Sequence, residues 1–95
     1  MKLIEVVKSS VDGKKWTAIF DNDGRKKSVS FGARGYEDYT QHHDKVRRDL
    51  YRKRHAKDLL THDPTKPGYL SYYLLWGDST SLSTNISSYK RKFKM

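Results

Sequence analysis

Two Asp-Gly pairs, Asp12-Gly13 and Asp23-Gly24, interrupt the first third of this chain, and each stands between short alternating runs. In a two-residue hairpin loop both central positions take positive φ, a conformation that Asp-Gly accepts at little cost. The runs on either side are "KLIEVV", "KWTAIF" and "KSVSF". Alternation puts Trp16, Ala18 and Phe20 on one face of the middle run, with Thr17 and Ile19 on the other. Val29 and Phe31 share a face in the third. Residues 2–31 are therefore predicted to form a three-stranded antiparallel meander.

Gly32 and Gly35 in "GARG" end the strand pattern, and the period then changes. Tyr39, His43, Val46 and Leu50 recur at helical spacing and predict one long helix over about 36–60, with that stripe buried. Lys45, Arg48 and Arg52 fall on the opposite side. Pro64 and Pro67 cannot continue a helix. Pro67 suits the start and Gly77 the end of a short helix over 68–76, built from "YLSYYLLW". "DSTS" offers an N-cap for a last helix over 81–93, whose Leu82, Ile86, Tyr89 and Phe93 share a face. The predicted order is β-β-β-α-α-α, an α+β fold. Ninety-five residues suffice for one domain with one modest core. Leu70, Tyr73, Leu74 and Trp76 are the expected seal between sheet and helices. The competing expectation for Tyr69, Tyr72, Tyr73, Trp76 and Tyr89 is a set of stacking platforms for single strands.

Charge points to function. Twenty Lys and Arg face 11 Asp and Glu, for a net charge of +9. Such an excess repels itself unless an anion neutralises it, and nucleic acid is the commonest such anion. Residues 42–58 hold seven Lys and Arg against three Asp. Several cations on a fixed scaffold can release counterions from a polyphosphate, and arginine favours bidentate phosphate contacts. The expected contacts are Arg47, Arg48, Arg52, Lys53, Arg54 and Lys57, assisted by Arg34, Lys45, Lys90, Arg91 and Lys92. The competing expectation is a solvated helix laced by Asp44–Arg48 and Asp49–Lys53 pairs at i, i+4. The glycine turn with Arg34 can cradle a phosphate or simply supply the dihedrals a strand-to-helix turn needs. Tyr36 and Tyr39 can stack on bases or lie at the core rim.

Other chemistry has little footing. With no cysteine there are no disulfides and no thiolate metal sites, which suits a reducing, intracellular setting. No apolar run approaches the length of a membrane span, so no membrane partner is expected. His42, His43, His55 and His62 lack metal-ligand spacing, so no catalytic residue, metal or other cofactor is expected. A metal-dependent nuclease using His43 or His55 with a nearby Asp is the least favoured alternative. A module docking an acidic protein is the second.

The segments "WTAIF", "FGARGYEDYTQHHDKVRRDLYRKRH", "DPTKPGYLSYYLLWG" and "NISSYKRKF" together resemble a family of small basic proteins of large nucleocytoplasmic DNA viruses of algae and amoebae. The likeness spans roughly residues 14–93. It implies a virus-encoded protein acting in the host nucleus or cytoplasm, or in the virion, and no particular activity. "KWTAIFDNDG" and "SVSFG" with "EDYT" are also similar to plant AP2-type and integrase-arm domains, which lay a three-stranded sheet in the major groove. That likeness implies a rival contact surface of Lys14, Lys15, Thr17, Arg25, Lys26 and Lys27. On either surface the expected activity is weakly specific binding of double-stranded DNA through its phosphates, as an accessory or genome-packaging protein.

Overall fold

Both Asp-Gly turns close hairpins in a computed structural model that describes residues 1–95. Strands β1 (Lys2–Lys8), β2 (Lys14–Asn22) and β3 (Arg25–Ala33) form an antiparallel sheet in the order β1-β2-β3. Asn22 pairs with Arg25, leaving Asp23 at φ 53° and Gly24 at φ 88° as a two-residue left-handed turn. The Asp21 carboxylate accepts the Gly24 N–H at 2.9 Å and fixes that turn. The first connection is wider, because Ser9 rather than Asp12 organises it, its hydroxyl accepting from the Val11 N–H at 3.0 Å. β1 carries a bulge between Leu3 and Glu5, which turns Ile4 outward.

The helical elements form a layer whose 67–75 segment packs on one face of the sheet. Helices α1 (Tyr39–His42) and α2 (Lys45–His55) are followed by a 3-10 segment, Ala56–Thr61. Helix α3 (Pro67–Leu70) runs directly into a π-helical turn, Ser71–Leu75, and α4 (Leu82–Lys92) completes the chain. The core joins Leu3, Ala18, Phe20 and Phe31 from the sheet to Tyr69, Leu70, Leu74, Leu75 and Tyr89 from the helices. Trp16, Val29, Tyr73, Trp76, Leu82, Ile86 and Phe93 pack around it, half-buried. Aromatics give a small domain the most buried area per position, and Tyr69, Tyr73, Tyr89 and Phe93 meet mostly edge to face at 4.6–6.1 Å. Val7 and Ser28 on the outer sheet face are exposed.

Polar clamps close the helical layer. Asn85, 4% exposed, donates to the carbonyls of Leu74 and Ser79 at 3.0 and 2.8 Å and accepts from the Ser79 N–H at 3.1 Å. The chain beside it admits only glycine at position 77, since an added Cβ would meet the Tyr73 carbonyl at 2.2 Å. Tyr69 donates to the Leu59 carbonyl at 2.8 Å, and Tyr89 donates to the Pro64 carbonyl. These bonds tie the proline-bearing connection to the core.

The single long helix expected over 36–60 is not formed. His43 adopts a left-handed conformation, φ 57°, and Asp44 then starts a new helix by accepting the N–H groups of Val46 and Arg47 at 3.0 and 3.2 Å. The preceding stub, α1, has its own cap: Asp38 accepts from Thr40, and Gln41 reaches back to the Asp38 N–H. At the far end His55 leaves helical geometry and the chain tightens into the 3-10 segment. The expected buried stripe is also absent. Tyr39 is buried, but Val46 and Leu50 are 69% and 53% exposed. The side of α2 that faces the protein carries Arg48, Tyr51, Arg52 and His55.

Candidate nucleic-acid interface

Breaking the helix at His43 decides which cations face solvent. Arg48 lies with its guanidinium 4.9 Å from the Tyr39 ring centre and donates to Asp49 at 3.1 Å. Arg52 donates through Nε to the Trp76 carbonyl at 2.7 Å and through its terminal nitrogen to Asp78 at 2.9 Å. Their side chains are only 15% and 24% exposed. Both were among the expected phosphate contacts, and the structure gives them internal work instead. Lys45, Arg47, Lys53, Arg54 and Lys57 remain exposed.

Few of these charges are neutralised. Of the 20 Lys and Arg side chains, only Lys15, Lys26, Arg48 and Arg52 lie within ion-pair distance of a carboxylate. The i, i+4 pairs Asp44–Arg48 and Asp49–Lys53 are not made, because Asp44 caps the helix and Asp49 sits beside Arg48.

Arg47 and Arg54 line a cleft of about 680 Å³ together with Lys14 and Lys15 from β2. Helix and sheet cations, which the sequence offered as rival surfaces, thus meet along one hollow. Tyr36, 75% exposed, and Leu50 stand at its edge. The Trp76 and Tyr51 rings also line it, stacked 4.2 Å apart and nearly parallel, and His55 continues the stack at 4.1 Å. Burial, with the Asp58 carboxylate adding, pushes the Tyr51 phenol up to about 12. Three carboxylates share the cleft: Glu37, Asp38 and Asp58. Asp38 is held by Lys15 at 2.7 Å and Asp58 by His55 at 3.1 Å, and Glu37 has no ion-pair partner.

A neighbouring hollow of about 570 Å³ shares Lys15, Tyr36, Glu37 and Asp38 with the cleft and adds Lys8 and Arg34. Arg34 also donates to the Ser9 carbonyl at 3.2 Å. Lys92 lies elsewhere, in a small pocket with Arg52 and Asp78. Lys90 is half-buried, and Arg91 is exposed beside Ser88.

The outer sheet face is a poorer anionic site. Thr17 is hydrogen-bonded to Ser30 at 2.9 Å, and Lys26 lies 3.6 Å from Asp21. Lys27 points to the helical side and donates to Thr65. Arg25 is exposed at the turn.

Each histidine has a local part. The His42 Nδ1 accepts the Asp44 N–H at 2.9 Å, and its Nε2 is enclosed without a polar partner, the ring lying between those of Tyr39 and Trp76. His43 and His62 occupy left-handed positions that end helical segments, and His55 pairs with Asp58. No three His, Asp or Glu side chains are grouped as metal ligands would be. No helix is long and apolar enough to cross a membrane.

Lys8 and Tyr51 carried no functional signal in the sequence, whereas Trp76 stood among the aromatics offered as stacking platforms. Lys8 reaches the site through the β1–β2 pairing, and the Tyr51 ring reaches it because α2 turns that side toward Trp76. No curated protein and no solved structure matches this chain. Residues 4–55, which hold all of the sheet but the first two residues of β1, the glycine turn and α1 with α2, fit the family of unknown function DUF5754, and the chain belongs to that family.

Proposed function

We propose that this chain binds double-stranded DNA, mainly through backbone phosphates and with weak sequence preference, as a virus-encoded accessory or genome-packaging protein. The observation that carries the reading is the convergence of Lys14, Arg47 and Arg54, none within reach of a carboxylate, beside the exposed Lys53 and Lys57. Placing five cations near phosphates predicts a log–log dependence of affinity on salt with slope of roughly −4 to −5. The contact set differs from the one read off the sequence, since Arg48 and Arg52 are engaged inside the fold. The viral assignment rests on the sequence resemblance alone.

Anisotropy titrations of two unrelated duplexes across a salt series test the reading. Steep and equal slopes support it, and a flat response overturns it. A second reading is favoured by Val46 and Leu50, whose exposed side chains beside Arg47 and Arg54 would suit an acidic protein partner. Capture of a partner that survives nuclease treatment, with no affinity for duplex DNA, selects that reading over the first.

A further inference from the structure

A duplex is a convex rod that can meet cations on the rim of a narrow hollow, whereas an unpaired strand can enter it. The region around Tyr36 is concave. The cleft of about 680 Å³ falls within the range of roughly 300–1,000 Å³ that holds small organic ligands. Its neighbour, of about 570 Å³, shares Tyr36 with it, along with Lys15, Glu37 and Asp38, so the two together are a trough with an aromatic ring at the junction. Cations stand along both arms: Lys14, Arg47 and Arg54 in one, Lys8 and Arg34 in the other. A ring left 75% exposed in a chain whose other eleven aromatics are all buried or half-buried is not serving the core. Single-strand sites combine a cationic groove that follows the backbone with an aromatic face on which a base stacks.

We infer that this trough holds unpaired nucleotides, one base stacked on Tyr36 and the flanking phosphates on Lys14, Arg47 and Arg54 in one arm and Arg34 in the other. The inference rests on the nucleic-acid reading above and narrows its substrate. The protein then prefers single strands, or duplexes ending in an unpaired overhang, over continuous duplex. Arg47 and Arg54 lie on one face of α2, seven residues or about two turns apart, which spaces them roughly 10 Å along the helix, so they can contact separate phosphates.

The test compares three labelled probes: an oligothymidylate of about 12 nucleotides, within single-strand site sizes, a blunt duplex, and the same duplex with a thymidylate overhang. The proteins are the full chain, Tyr36→Ala and Tyr36→Phe, each verified folded by circular dichroism. The wild type is expected to favour the unpaired probes. Tyr36→Ala should lose roughly 5- to 150-fold on those probes, the equivalent of one stacked base, and change little on blunt duplex. Tyr36→Phe, which keeps the ring, should stay close to wild type. Equal affinity for all probes, or an equal loss on paired and unpaired probes in Tyr36→Ala, overturns the trough assignment while duplex binding stands. Failure to bind any probe removes the phosphate-binding reading and this inference together.

Discussion

Arg52 and Arg54 are two residues apart, carry the same charge, and are expected to fail in opposite ways. Arg54→Gln removes an exposed cation at the cleft edge that has no carboxylate partner. Such a surface change should leave stability within about 0.5 kcal/mol. It should make the salt slope of DNA binding less negative by about 0.9, the loss of one phosphate contact. Arg52→Gln removes a charged donor from the Trp76 carbonyl at 2.7 Å and from Asp78 at 2.9 Å. The Asp78 pair contributes little, about 0–1 kcal/mol, because that carboxylate is 97% exposed. The bond to the half-buried carbonyl, from a charged donor, is worth about 1.5–3 kcal/mol. A net loss near 2 kcal/mol in a domain of this size lowers the melting temperature by roughly 10 °C.

Circular-dichroism melts and a salt series of anisotropy titrations read both quantities on the same preparations. The expected pattern is a lower melting point with an unchanged slope for Arg52→Gln, and the converse for Arg54→Gln. If Arg52→Gln flattens the slope as much as Arg54→Gln and melts like wild type, then Arg52 faces the ligand. The orientation of α2 and the contact set built on it would both be refuted.

Asn85→Ala should destabilise by about 3 kcal/mol, since it strips partners from two carbonyls and one N–H in a buried clamp, and a denaturant midpoint checks it. Tyr51 bears on alkaline stability. Its phenol is raised to about 12, so folding favours the neutral form; the stability is complete below about pH 10 and is lost as pH climbs through about 12. Tyr51→Phe keeps the ring stacked on Trp76 and should lessen the fall of the urea midpoint over that window; an identical fall in wild type and variant would count against the buried phenol. His43 holds a left-handed conformation that costs an L-residue about 1 kcal/mol, so His43→Gly should raise the melting point and His43→Val should lower it. Equal melting points for all three would mean that no such break is populated.

The sheet was legible because its information is local. Two Asp-Gly turns and a period of two give strands, order and facing together, and Trp16, Ala18, Phe20, Val29 and Phe31 all point as the alternation says. The last helix was legible for a similar reason, its Ser81 cap and its Leu82–Phe93 stripe both being short-range signals. The middle helix was not, because its sequence carries two stripes at helical spacing. Tyr39, His43, Val46 and Leu50 form one, and Arg48, Tyr51, Arg52 and His55 the other. Hydrophobicity favours the first stripe. The deciding signal was Asp44 after two histidines, a side chain able to cap a new helix, and its weight depends on the bond it makes rather than on its composition. The cleft was illegible in principle, since Lys14 and Arg54 are 40 residues apart and only the packed fold makes them neighbours.

The same break explains how so basic a helix can be both anchored and free. A continuous helix from Tyr36 onward would bury Val46 and Leu50 and leave Arg48 and Arg52 outside with the other cations. Anchoring would then rest on two aliphatic side chains, and more like charges would crowd one face. One left-handed residue at His43 changes the phase of everything after it. Tyr51 then docks flat on Trp76 with an interplanar angle of 5°, and Arg48 and Arg52 spend their charge on Tyr39 and on the Trp76 carbonyl. A stacked ring and two half-buried arginine stems replace the aliphatic stripe as the anchor. Because Arg47 and Arg54 are next to the anchoring residues along the chain, they are held at the cleft edge without internal partners. The residues that fasten α2 therefore set the geometry of those proposed to meet a polyphosphate, and loosening the anchor should blur the proposed binding surface before it changes its charge.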